Sequence, residues 1–164
     1  MKIIFATNNK NKVEEIKHLS HQKFQIFTLQ EVGINIDIPE PHDTLEANAT
    51  EKSSTIYKLT NEAVFSEDTG LEVHALGGAP GVKSARYAGE GRNMQDNIDK
   101  LLQELKDKPT RAAQFRTVVS LIIGGKEYQF EGICKGHITH EMDGTNGFGY
   151  DPVFIPEGSN TTFA

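Results

Sequence analysis

Apolar and polar positions along this chain fall into blocks whose period changes from one block to the next. "KIIFA" (2–6) is a short apolar run that predicts a buried strand. From Lys10 to Ser20, Val13, Ile16 and Leu19 share one helical stripe. "FQIFTL" (24–29) alternates and predicts a second strand, and "GINIDIPEP" (33–41) is extended and ends at two prolines. Residues 43–59 predict a helix with Leu45, Ala49, Ile56 and Leu59 on its apolar face and Asp43 with Glu46 as a capping box. Thr44, Asn48 and Lys52 recur at helical spacing on the same segment as a separate polar stripe. "AVFSED" (63–68) predicts a strand that breaks at Thr69-Gly70, followed by a short extended piece, 71–81. Residues 93–105 predict a helix with Met94, Ile98, Leu101, Leu102 and Leu105 inward. Residues 112–138 predict a long hairpin turning at Gly124-Gly125, and 143–154 a glycine-rich loop. Strands and helices mix without strict βαβ alternation, so the expected fold is α/β with a mixed sheet. No repeat or linker divides the 164 residues, which suggests one domain with a real core.

Composition narrows the function classes. With 37% hydrophobic and 24% charged residues the chain is globular rather than disordered. A net charge of -6 argues against a nucleic-acid footprint and leaves room for a small anion met by a few local lysines. The single cysteine, Cys134, cannot form an internal disulfide and fits a reducing, cytoplasmic setting. It has no histidine at an obvious partner position and reads as a buried strand residue. No apolar run is long enough to span a membrane, and "MKIIFA" is too short for a signal-peptide core.

Five segments carry candidate chemistry. The first, "ATNNKNK" (6–12), joins a strand to a helix, so backbone N–H groups and the helix dipole favour an anion there. Lys10 and Lys12 add charge, although a solvated turn with an asparagine cap is an equally open reading. The second, "SEDTGL" (66–71), sets Glu67 and Asp68 side by side at the end of an apolar strand. Buried carboxylates there need a positive partner, and oxygen ligands suit Mg2+. Adjacent strand residues point to opposite faces, so at most one of the two is expected to enter a site directly, the other acting through water or from behind it, and a solvated turn is the other open reading. The third is Glu40, held between two prolines, with Lys52 on the polar stripe nearby in sequence. The fourth, "GGAPGVKSARYAG" (77–89), is a rigid loop suited to covering a ligand or forming an oligomer contact. The fifth, "GTNGFGYDP" (144–152), places Phe148 and Tyr150 among glycines, where they either stack on a flat ring or plug the core, with Asp151 beside them. The histidines add little. His18 and His21 read as solvated, His137 and His140 face opposite ways, and His42 lies near Glu40 without a second clue.

Together, "ATNNKNKVEE", "PEPHDTLEANATEKS", "SEDTGLEVHALGGAPGVKSARYAGE" and "GTNGFGYDPVF" resemble the inosine triphosphate pyrophosphatase family in order and spacing. The resemblance runs over nearly the whole chain. It implies hydrolysis of dITP, ITP and XTP to monophosphate and pyrophosphate by a Mg2+-dependent homodimer. The implied fold is an elongated mixed sheet with flanking helices and two lobes around a deep cleft. By position, Thr7, Asn8, Asn9, Lys10, Asn11 and Lys12 correspond to the family's phosphate loop, Glu40 to a metal ligand and Lys52 to the lysine after its ENA motif. Asp68 corresponds to the proton acceptor and metal carboxylate, Thr69 to a substrate contact, and Phe148, Gly149, Tyr150 and Asp151 to the base pocket. This chain departs from the family in three places. Ala47 replaces the motif glutamate. Asn8 stands for the usual loop glycine, where asparagine's tolerance of left-handed backbone preserves the turn. After "NTTFA" the chain ends where family members continue through a Lys and a Ser-His-Arg motif. The expectation is therefore a C-terminally truncated pyrophosphatase, and its alternative is a nucleotide-binding or dimerising domain with weak or no turnover.

Overall fold

The computed structural model describes residues 1–20 and 23–164, so the expectation for His21 lies outside the described residues. Strand β1 (Lys2–Phe5) leads into α1 (Lys10–Leu19) and β2 (Gln25–Thr28). Helix α2 (Leu45–Thr60) and strand β3 (Val64–Val73) follow, then the two-residue β4 (Pro80–Gly81) and α3 (Met94–Leu105). The hairpin β5 (Ala112–Ile123) and β6 (Lys126–Ile138) turns at Gly124-Gly125, as its sequence predicts, and β7 (Phe154–Pro156) closes the order. The strands form one sheet in the order β2-β1-β3-β5-β6-β7, with β4 beside β3. β1 pairs in parallel with β2 and β3, whereas β3/β4 and β6/β7 are antiparallel. This is the mixed α/β sheet expected.

The chain forms two compact units, residues 1–68 with 118–131, and residues 69–117 with 132–164. The first has a core of Ile4, Ala6, Leu29, Ile38, Ile56 and Val64. The second is built on Leu71, Val73, Ile98, Leu101, Leu105, Ile138 and Phe154, with Cys134 packed against it. The apolar stripes of α2 and α3 feed these cores through Ile56 and through Ile98, Leu101 and Leu105, whereas the Val13, Ile16 and Leu19 stripe of α1 contributes no buried residue.

Four local expectations are corrected. β3 does not break at Thr69-Gly70 but continues to Val73. Gly70 sits inside it because a Cβ there would lie 2.5 Å from the Gly81 carbonyl oxygen, so the glycine serves close strand approach rather than a turn. The cap of α2 is Thr44, whose hydroxyl accepts from the Ala47 N–H, rather than Asp43. Leu19, Leu59 and Met94 complete their stripes in sequence yet are exposed, because each lies at an end of its helix. Asn8 does not adopt the left-handed backbone proposed for it; among described non-glycine residues only Asn61 and Arg92 do. Its side chain works instead, donating from Nδ2 to the Ile36 carbonyl at 2.8 Å.

Candidate active site

The expected phosphate loop is short because Asn9 ends it. Asn9 is the N-cap of α1, and its Oδ1 accepts from the N–H groups of Asn11 and Lys12 at 3.0 and 3.3 Å. The Thr7 hydroxyl accepts from the Asn9 N–H. Three donors that the sequence offered to an anion are thus engaged within the loop. Lys10 and Asn11 face solvent. Lys12 alone turns inward, where its Nζ lies 2.5 Å from Glu67 Oε1.

Lys52 reaches the same region from α2. Its side chain is only 5% exposed, which requires full compensation of its charge. Nζ donates to Glu40 Oε1 at 3.0 Å and to the Glu67 carbonyl at 2.6 Å. The helical spacing noted for Thr44, Asn48 and Lys52 therefore leads into the protein: Asn48 and Lys52 are both buried. Glu40 is carried by the proline-flanked segment, anchored on one side by Ile38 in the core.

Asp68 completes the group. It is 5% exposed, and its Oδ2 is buried with no hydrogen-bond partner among the described residues. Burial pushes its carboxyl up to about 6; Lys52 and Lys12 pull the other way, and Glu40 and Glu67 add to the rise. Lys12 shows the complementary balance. Burial disfavours its ammonium, but Glu67, then Asp68 and Glu40, outweigh this and raise its pKa. Three carboxylates thus face two ammonium groups, which leaves the group with an excess of negative charge. Glu67 and Asp68 are both buried at less than a tenth exposure, Glu67 on Lys12 and Asp68 with an orphaned oxygen.

The oxygen donors and the orphaned, buried Asp68 oxygen fit a hard divalent cation such as Mg2+. Among the described residues no three ligating side chains are clustered around one point.

The remaining predicted residues belong to the second unit. The Thr69 hydroxyl is 2.7 Å from that of Thr117. Tyr150 is buried in the second unit's core and donates to the Ser84 carbonyl at 2.6 Å. Burial raises the Tyr150 phenol, with Tyr87 adding to the effect. Asp151 Oδ2 accepts from the Phe148 N–H at 3.0 Å. Its carboxyl is raised by burial, against the lowering effect of that N–H. Gly147 is required there, since a Cβ would collide with the Asp151 carboxylate. Phe148 and Gly149 are half-buried. The 77–89 loop folds onto α3: Lys100 lies over the Tyr87 ring, and the Tyr87 hydroxyl donates to Glu104.

Sequence reasoning missed two features. Asn48 grips the backbone of His42, whose ring also lies 3.3 Å from Glu51. Glu127 collects Thr50, Ser120 and Gln129, tying α2 to the hairpin. The polar stripe was a signal for Asn48; Glu127 is too distant in sequence to leave one.

The sequence profile of the Ham1 family matches residues 3–164. A dITP/XTP pyrophosphatase of Flavobacterium johnsoniae is 49% identical over 164 residues, covering 100% of this chain and 85% of that protein. One from Porphyromonas gingivalis is 51% identical over 164 residues, covering 99% of this chain and 84% of the relative. Among solved structures, the Ham1 protein of Staphylococcus aureus superposes with a TM-score of 0.88 at 38% identity, covering 100% of this chain and 85% of that one.

Proposed function

Since the chain belongs to the Ham1 family, we propose that it hydrolyses the non-standard purine nucleoside triphosphates dITP, ITP and XTP to monophosphate and pyrophosphate. The observation that carries this reading is the charged group of buried Lys52, Glu67 and Asp68 with half-buried Lys12 and Glu40, supported by relatives named for dITP and XTP. Residues 1–164 act as one pyrophosphatase domain, in the cytoplasm and as a homodimer; nucleic acid and membrane are not partners.

Glu40 and Asp68 would hold Mg2+, which supplies positive charge against phosphate oxygens when bound. Lys12 and Lys52 stand ready to meet the triphosphate, since one is a half-buried and the other a buried cation facing oxygen atoms. In the transition state they offset the charge that builds on the departing pyrophosphate. Asp68 orients the attacking water and accepts its proton. A carboxyl held near 6 is a better base than an ordinary aspartate and is still ionised at neutral pH. Thr7, Asn8, Asn9, Lys10 and Asn11 shape the phosphate end: Asn9 fixes the start of α1, and Asn8 ties the loop to Ile36. Thr69 contacts substrate, and Phe148, Gly149, Tyr150 and Asp151 form the base side, with Tyr150 supporting it from the core.

The test is pyrophosphate release from dITP, ITP, XTP and ATP with Mg2+. The expected result is turnover of the first three well above ATP. Nucleotide-dependent thermal stabilisation without any release would favour the alternative, a binding domain without turnover.

A further inference from the structure

Glu40 sits in the segment between Ile38 and His42. Pro39 and Pro41 flank it, and neither has an N–H to donate. Ile38 is buried in the first unit's core and anchors the segment before Glu40. After Glu40, His42 is exposed, yet its backbone is gripped from both sides. The His42 N–H donates to Asn48 Oδ1 at 2.9 Å, and Asn48 Nδ2 donates to the His42 carbonyl at 3.3 Å. Asn48 is fully buried one helical turn before Lys52, whose ammonium meets the Glu40 carboxylate. A primary amide is suited to this role because it offers one acceptor and one donor on a single plane. A carboxylate lacks the donor, and an apolar side chain lacks both.

We propose that Asn48 is a positioning residue for Glu40: by clamping the His42 backbone to α2, it sets the Glu40 carboxylate for the cation. The inference rests on the reading of Glu40 as a metal-side carboxylate. Asn48 itself touches neither substrate nor metal. The clamp acts on backbone atoms, so the His42 side chain is dispensable to it, and the His42–Glu51 pair is a separate contact.

Mn2+ binding to the full chain, followed by the loss of its free-ion paramagnetic resonance signal, tests this without turnover. Asn48→Ala is expected to weaken Mn2+ about tenfold or more, as losses of residues that orient metal ligands do. His42→Pro removes the same N–H from an exposed position and is expected to do likewise, which keeps the test open if Asn48→Ala fails to fold. His42→Ala retains both backbone groups and is expected to bind as wild type does. Ser53→Ala, on the same helix as Asn48, breaks a buried contact to Ser120 of β5 and is expected to lower Tm and leave Mn2+ affinity unchanged. Mn2+ affinity within twofold of wild type in Asn48→Ala or His42→Pro would overturn the proposal, as would equal losses in His42→Ala and His42→Pro. Pyrophosphate release from ITP by the wild type is measured alongside. Loss of the Mn2+ contrast counts against Asn48, and loss of hydrolysis counts against the functional reading.

Discussion

The charged group of the first unit and the glycine-rich loop of the second use buried polar residues in opposite ways. In the first, Lys12, Lys52, Glu40 and Glu67 pair with one another, while Asp68 keeps an oxygen without a hydrogen-bond partner among the described residues. In the second, the polar atoms are spent on the fold: Tyr150 on the Ser84 carbonyl, Asp151 on the Phe148 N–H. A site for a charged substrate carries unbalanced charge, whereas a loop that presents a surface to a base must first be held still. Substitution of the unpartnered Asp68 should therefore act most on chemistry, whereas substitution of a paired residue in either region should act on stability.

The largest expected effect is at Asp68. Asp68→Asn should lower kcat/KM for ITP by about 10²–10⁴, the range typical of a lost general base, measured by pyrophosphate release. Full activity in this variant would remove Asp68 from the chemistry. Lys52→Met comes next. It removes the buried ammonium that meets Glu40 Oε1 and the Glu67 carbonyl, so urea unfolding should show a loss of about 3–5 kcal/mol, as for one half of a buried pair.

The third effect depends on pH and has the opposite sign. The Asp68 carboxyl is pushed up to about 6 in the fold, from 3.8. The folded protein therefore holds a proton that the unfolded chain releases between those values, and stability falls as pH rises through this window. Asp68→Asn escapes this cost. Its stability relative to wild type should be near zero at pH 4 and reach about 2–3 kcal/mol in its favour by pH 7. A variant that loses activity while gaining stability at neutral pH is the mark of a functional rather than a structural carboxylate. The smallest effect is at Tyr150. Tyr150→Phe deletes the bond to the Ser84 carbonyl and should cost about 1 kcal/mol in thermal unfolding, with kcat for ITP within about twofold of wild type.

Legibility in the sequence followed the range of the interactions. α2 was visible because Leu45, Ala49 and Ile56 repeat at helical spacing and are buried as that spacing implies. The hairpin was visible because its turn is two adjacent glycines between long strand-like runs. Gly70 misled because a glycine needed for close approach of another strand looks the same as one needed for a turn, and Gly81 lies outside any local window. Single residues of the candidate site were weak signals, because a lysine on a helix or a glutamate between prolines is usually solvated. Lys52 became legible only through its stripe. Its meeting with Glu40 and the Glu67 carbonyl depends on three segments converging, which no local pattern encodes. Asn8 shows the same limit: its backbone role was inferred from residue type, whereas its contact to Ile36 depends on tertiary placement.

The identity of the products formed from ITP tests the central claim most directly. Phosphorus NMR of the wild-type reaction with Mg2+ should show inosine monophosphate and pyrophosphate appearing together in equal amounts. Inosine diphosphate and inorganic phosphate, or unchanged ITP, would contradict it.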